Sequence, residues 1–324
     1  MNAVYQTMSD GASVAMYTWL PEQAPKAVLH IVHGMAEHAL RYDDFAKTAC
    51  KRGFVVVASD HRGHGKTGEK NGLTGYLADG DGFERVVDDQ KEINAEIRKQ
   101  YPCLPVVIIG HSFGSFVTQE YIERYGATVK AAALIGSAGP NPSVSVALLL
   151  ANLNCAFKGR KSATKFMNAL IFGSYNSRVK NPRTVFDWLS RDEREVKKYI
   201  DDEYCGFICT AGFFQDFMRG LKRLHTQAAL TGIPTDLPVL ITAGAEDPVS
   251  NGGKTLKNLY RIYQDIGMQD VTLKLYENAR HEILNEINKE EVKADILGWI
   301  EKKIYSSLLR EILEKISHIF STAG

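Results

Sequence analysis

The sequence predicts an α/β domain, with a mostly parallel central sheet, helices on both faces and a helical cap inserted between two strands. Three observations predict it. Apolar β-branched runs alternate with amphipathic segments at Ala27–Val32, Arg41–Arg52, Phe54–Ala58 and Phe83–Gln100. Strands that alternate with helices pair in parallel and are buried on both faces. The rhythm then breaks at Ala138-Gly139-Pro140-Asn141-Pro142, and a helical block runs to about Leu230 before a strand returns at Val239–Ala243. Last, Leu104–Tyr125 reads as a buried strand, a sharp glycine-flanked turn and a helix.

Taken in order, Val4–Leu20 reads as a hairpin turning at Asp10-Gly11. Ala27–Val32 is a buried strand running into the His33-Gly34-Met35 loop. Arg41–Arg52 is helical, with Phe45, Ala46 and Ala49 on one face. Phe54–Ala58 is the next strand, and Phe83–Gln100 is a helix whose apolar stripe runs through Phe83, Val86, Val87, Ile93 and Ile97. Val106–Ile109 is a central strand, followed by Gly110-His111-Ser112-Phe113-Gly114 and a helix with Phe116, Val117, Tyr121 and Tyr125 at helical spacing. Val129–Gly136 is a further strand. The inserted block holds helical segments at Val144–Phe157, Lys161–Phe172, Val185–Ser190, Glu193–Tyr199 and Thr210–Gln227. Beyond it come Val239–Ala243, a helix over Lys254–Ile266, a strand over Val271–Tyr276 and a helix over Lys289–Lys303. Tyr305–Phe320 reads as an extra amphipathic helix. The expected division is a first core part over 1–138, a cap over 139–235, a second core part over 236–303 and the extra helix over 304–324.

Composition excludes several classes. The 324 residues are 44% hydrophobic and 24% charged, as in a globular protein. A net charge of +1 supplies no field for nucleic acid. The five cysteines form no C-x-x-C pair and read as reduced thiols of a cytoplasmic protein. MNAVYQTMSDGAS has no basic segment leading into an apolar core, so no signal peptide is expected, and no apolar run is long enough to span a bilayer.

The chemistry centres on Ser112. Strand, turn and helix are the setting in which G-x-S-x-G forms a nucleophile elbow. Gly110 and Gly114 remove the Cβ atoms that would collide in so tight a turn. A serine hydroxyl needs a base, and the base needs an orienting acid. In this architecture they follow in the order serine, acid, histidine. Asp247 follows the strand Val239–Ala243, with Glu246 as the nearest competitor, and His281 follows the last strand. The oxyanion needs two backbone N–H donors, and these are expected at Phe113 and Met35. His33, His38, His61 and His64 match no strong metal spacing and read as hydrogen-bonded loop histidines. Gly63, Gly65 and Gly68 give one glycine-rich loop after the strand Phe54–Ala58, but this loop alone does not make a nucleotide site, and no cofactor or metal is expected.

These residues resemble a family. His33-Gly34-x-x-Glu37-His38 with Arg41-Tyr42, Asp60-His61-Arg62-Gly63-His64-Gly65, Gly110-His111-Ser112-x-Gly114, Gly244-x-x-Asp247-x-Val249 and Ala279-Arg280-His281-Glu282 recur in this order in the monoacylglycerol lipase and lysophospholipase branch of the serine α/β-hydrolases. The resemblance implies the α/β-hydrolase fold and ester hydrolysis through an acyl-enzyme, with Ser112, Asp247 and His281 as triad. It also implies a mobile lid over an acyl-chain pocket. The expected substrate is therefore a small lipid ester, with Leu149 and Leu153 as first candidates for the pocket wall. An aminopeptidase-like or small-ester hydrolase, and a non-catalytic receptor, are the competing classes. An aminopeptidase would need a cap carboxylate among Glu193, Glu195, Asp201, Asp202 and Glu203 to hold the substrate amine. The extra helix departs from the family's usual ending. Its stripe suits packing on the body or on a second copy of the chain, with transient contact of cap or helix with a membrane surface as the alternative.

Overall fold

The computed structural model describes residues 3–322, with side chains described as far as Tyr305. Eight strands form one sheet: β1 (Val4–Thr7), β2 (Ser13–Trp19), β3 (Ala27–Val32), β4 (Phe54–Ser59), β5 (Val106–His111), β6 (Ala131–Ile135), β7 (Val239–Gly244) and β8 (Val271–Tyr276). Their spatial order is β1-β2-β4-β3-β5-β6-β7-β8. The hairpin β1–β2 is antiparallel and β2 joins β4 antiparallel, while β4 to β8 run parallel.

Helices cover both faces: α1 (Asp43–Lys51), α2 (Gly65–Asn71), α3 (Gly82–Gln100), α4 (Phe113–Tyr125), the inserted α5 (Val144–Lys158), α6 (Lys165–Phe172), α7 (Glu193–Asp201), α8 (Ala211–Arg223) and α9 (Gln227–Leu230), then α10 (Lys254–Asp265) and α11 (Lys289–Thr322). The period-two pleat divides each central strand between two cores. Val28, Val32, Val106 and Ile108 pack with α3, α4 and α8 through Phe83, Val117, Tyr121 and Phe213. Leu29, Ile31, Val107 and Ile109 pack with α1 and α11 through Phe45, Ala49, Val292, Ile296 and Ile300. Burying each such Val, Leu, Ile or Phe contributes roughly 1.5–3 kcal/mol. The long helix α3 starts where Asp81 accepts a hydrogen bond from Glu84 N at 3.0 Å, which satisfies one of its free N–H groups.

Four local readings change. Val185–Ser190 is a run of turns rather than a helix. Asp187 accepts from Arg183 N at 2.6 Å and Thr184 Oγ1 at 2.5 Å, local bonds that compete with helix formation. The Thr210–Gln227 segment divides into α8 and α9, because His225 takes a positive φ of 66°. Helix α2 was hidden by its glycines, which are poor helix formers. At Gly68 a Cβ would lie 2.8 Å from the Gly63 carbonyl carbon, so a larger residue does not fit that close approach. Finally, the extra helix is no separate element: α11 continues unbroken to Thr322. Its expected stripe falls among side chains outside the described residues. Among the described residues, no helix is long and apolar enough to cross a membrane.

Candidate active site

The C-terminal ends of the parallel strands bring the expected residues together. β5 ends at His111, and Ser112 follows with φ 52° and ψ −122°, a strained conformation at the head of α4. The turn admits no Cβ on either side. At Gly110 one would lie 2.3 Å from Gly114 O, and at Gly114 one would lie 2.1 Å from Val32 O. Ser112 N–H donates to Ile135 O at 2.9 Å, which ties the turn to the end of β6. Next along, Gly136 has φ +58°, and a Cβ there would lie 3.0 Å from the His281 ring. Serine and histidine loops therefore converge on the end of β6.

His281 follows β8 and is fully enclosed. Its Nδ1 lies 3.0 Å from Asp247 Oδ1. The same oxygen accepts from Val249 N at 2.9 Å, and Asp247 is completely buried. Glu246 points to solvent. At Gly244 a Cβ would lie 2.1 Å from both Ala279 O and Arg280 O, so only glycine lets the acid loop rest on the histidine loop. Burial works against the charged imidazolium, but the Asp247 charge and hydrogen bond outweigh it, and the His281 pKa is raised above 6.5. With Nδ1 committed to Asp247, Nε2 is the nitrogen free to serve as base.

The loop after β3 is held from several sides. Glu37, buried, accepts from Gly34 N at 2.5 Å, from Tyr42 OH at 2.8 Å and from Arg41 at 2.6 Å. Arg41 also grips Glu282, beside His281, with two bonds of 2.6 and 2.8 Å. Gly34 sits so close to the turn that a Cβ there would lie 3.2 Å from Ser112 Cβ. Met35 thus stands in a loop pinned beside Ser112, and Phe113 N–H, first of α4, has no acceptor within its own helix. His33 Nε2 accepts from His61 N at 2.9 Å, which leaves its Nδ1–H to donate to Gly34 O at 2.7 Å. Burial holds His33, His61 and His64 below the usual histidine range, so these rings are neutral supports for the loop, as their sequence setting implies. His111 Nδ1 lies 3.3 Å from Glu37, supporting the turn.

Leu149 and Leu153 are the misplaced pair. They are 58% and 47% exposed, on the outer face of α5 with Val146 and Phe157. Ala147, Leu148, Leu150 and Ala151 face the core instead. The segment is apolar all round, so its sequence does not mark the buried face. Two contributors went unread. Trp188 lies with its ring centroid 5.1 Å from that of His281, and the helical reading of 185–190 gives no sign of this contact. The Glu37–Arg41–Glu282 bridge joins residues far apart in the chain, and only their common presence in the motifs hints at it.

Fold and site together define an α/β-hydrolase. A thermostable carboxyl esterase from Bacillus coagulans, solved in complex with glycerol, superposes with a TM-score of 0.87 at 27% identity, covering 94% of this chain and 98% of the other. A soluble variant of the Saccharomyces cerevisiae monoglyceride lipase shares the fold, with a TM-score of 0.73 at 18% identity over 93% and 94% of the two chains. The chain belongs to the family described as serine aminopeptidase, S33, whose family model matches residues 23–288. It is similar to the Rattus norvegicus monoglyceride lipase, 28% identical over 100% of this chain and 94% of the relative. It is also 28% identical to the Mycolicibacterium smegmatis monoacylglycerol lipase, over 90% and 93% of the two. In class the chain is a carboxylic ester hydrolase.

Proposed function

We propose that the protein hydrolyses lipid monoesters, monoacylglycerol or lysophospholipid, through an acyl-enzyme formed on Ser112. The observation that carries this reading is the strained Ser112 turn set against the enclosed His281–Asp247 pair. Ser112 Oγ attacks the ester carbonyl carbon while His281 Nε2 takes its proton. The carbonyl π pair moves to oxygen, and the oxyanion is received by Met35 N–H and Phe113 N–H. Collapse breaks the bond to the alcohol, which leaves with the proton from His281. Water then repeats the sequence in reverse and releases the fatty acid. Asp247 fixes the ring through Nδ1 and stabilises its charged form.

The lipid part of the reading is supported by the relatives named above and by the insertion over 139–235, which we take to act as a cap. Phe113, Phe213 and Phe217 cluster beside the turn, with ring centroids 5.1 to 6.2 Å apart. The exposed Val146, Leu149, Leu153 and Phe157 of α5, with Phe166 and Leu170 of α6, form an apolar outer surface suited to transient contact with a lipid aggregate. For the aminopeptidase reading, the cap carboxylates are largely engaged: Glu195 with Lys289 at 2.9 Å, Asp201 with Lys197 at 2.6 Å, and Asp202 with His38 at 2.9 Å. Side-by-side turnover of a monoacylglycerol and an amino-acid nitroanilide tests the proposal. Faster release of aniline than of fatty acid would overturn it.

A further inference from the structure

Where the segment after α7 meets the loop after β3, three donors of different kinds converge. His38, Asp202 and Cys205 each offer one atom, and these atoms lie within 4.8 Å of one another. His38 Nε2 already stands 2.9 Å from Asp202 Oδ2. The other carboxylate oxygen accepts from Tyr204 N at 2.9 Å, and Cys205 N donates to Asp202 O at 3.0 Å, so the turn is built around this aspartate. Gly206 N, next in the chain, donates to Ala36 O at 2.9 Å, and Tyr199 OH donates to the same oxygen at 2.9 Å. The turn is thereby held beside the histidine.

We propose that His38, Asp202 and Cys205 form a divalent transition-metal site, of zinc type, that clamps the insertion onto the loop carrying Met35. An imidazole nitrogen, a carboxylate oxygen and a thiolate sulfur are the ligand types of tetrahedral zinc, with solvent filling the fourth position. Bonds of about 2.0–2.3 Å place tetrahedral donors about 3.4–3.8 Å apart. Small side-chain rotations therefore suffice, opening the His38–Asp202 contact and drawing the sulfur inward. Burial is the largest influence on the Cys205 thiol and pushes its pKa up, a cost that a metal bond to the sulfur has to outweigh. Among the charged groups near the sulfur, the carboxylates Glu37, Asp202 and Glu282 stand against Arg41. Arg41 is already shared between the two glutamates. An entry route exists as well: a cavity of about 400 Å³ reaches His38 and Asp202, its wall mixing carboxylates such as Asp44 and Glu195 with the cations Arg41, Lys198 and Lys289. On binding, the thiol proton passes to solvent and the sulfur lone pair goes to the metal.

The consequence is control of the neighbouring loop. His38 lies three residues beyond Met35, while Asp202 and Cys205 belong to the insertion. A metal bridging them would hold the insertion closed and slow exchange of substrate and product. The full chain, stripped with chelator and titrated with Co²⁺, is expected to develop the near-ultraviolet thiolate-to-cobalt charge-transfer band at one ion per chain. That readout does not depend on which ester the enzyme cleaves. Cys205→Ala and, separately, Cys205→Ser should abolish the band, and His38→Gln, which removes a ligand nitrogen, should weaken binding by at least the roughly 10–100-fold that loss of a mere outer partner costs. Zn²⁺ should inhibit ester hydrolysis reversibly in the parent, and Cys205→Ala should retain its metal-free rate while resisting inhibition. Absence of the band in the parent, its persistence in Cys205→Ala, or equal Zn²⁺ inhibition of parent and Cys205→Ala would each overturn the site.

Discussion

At the scale of single residues, the site turns on which atom of His281 is committed. Asp247 holds Nδ1 and raises the pKa of the ring above 6.5. Only neutral His281 can accept the serine proton, so activity should rise with pH through an ionisation above that value. Asp247→Asn removes the charge that raises it, and the midpoint should move down as kcat falls; Glu246→Gln should change neither. A pH–kcat/KM profile for the three proteins reads this, and a midpoint unmoved by Asp247→Asn would contradict it. The sign for stability is opposite. A raised folded pKa makes protonated His281 stabilising, fully so below about pH 6.5, and the contribution fades as pH climbs through the folded value. Ser112→Ala should leave the fold intact and lower kcat by about 10⁴–10⁶-fold, with His281→Ala similar and the double variant no worse, because the three groups act as one unit. Retention of a tenth of the activity, or roughly additive losses, would remove Ser112 from its proposed role.

Among elements, α3, α4 and α8 decide how firmly the turn at Ser112 is held. Phe83 of α3 is fully buried, and its ring lies 5.6 Å from Phe113 and 6.0 Å from Phe217. Phe83→Ala should cost about 3–5 kcal/mol, read as a lower urea midpoint at unchanged slope. A loss below roughly 1 kcal/mol would mean that the three helices do not share one packed centre. These elements were legible in the sequence because pattern and propensity agreed: β3 matches its expected limits, and Phe83, Val86, Val87, Ile93 and Ile97 are all buried. Ser112, Asp247 and His281 could be proposed from sequence because chain order leaves few choices, and the structure has Asp247 buried against His281 while Glu246 is exposed. What failed was whatever depends on side-chain contacts rather than period. The turns at 185–190 follow from Asp187 bonding its own backbone, and no periodicity signals that. Leu149 and Leu153 were misassigned because Leu148, Leu149 and Leu150 are consecutive, so hydrophobicity could not say which one faces in.

The molecule as a whole pairs a rigid sheet with an insertion whose outer face is apolar. Val146, Leu149, Leu153 and Phe157 recur along α5 on the side away from the core, and Phe157 is 85% exposed. Such a surface is costly in water and gains from a lipid aggregate. An inner acyl pocket and an outer lipid-facing surface make separable predictions. If the pocket binds the tail, kcat/KM for monomeric esters should climb with chain length by up to roughly fourfold per CH₂, since each buried CH₂ contributes about 0.8 kcal/mol, and then level off where the wall ends. The outer face should leave that series alone. Leu149→Ser combined with Leu153→Ser should therefore preserve the slope measured below micelle concentrations, yet slow hydrolysis of the same monoacylglycerol presented in vesicles. A polar change on the inward side, Leu148→Ser, should do the reverse and flatten the monomeric series while acetyl ester hydrolysis stays nearly unchanged. The decisive comparison is the three proteins against p-nitrophenyl esters from acetyl to palmitoyl and against vesicles. A series falling steadily from acetyl onward would reject the acyl pocket and favour a small-ester hydrolase. Equal rates of the parent and the Leu149/Leu153 double variant on vesicles would reject the lipid-facing role of α5 and leave that stripe for another surface, such as a second copy of the chain.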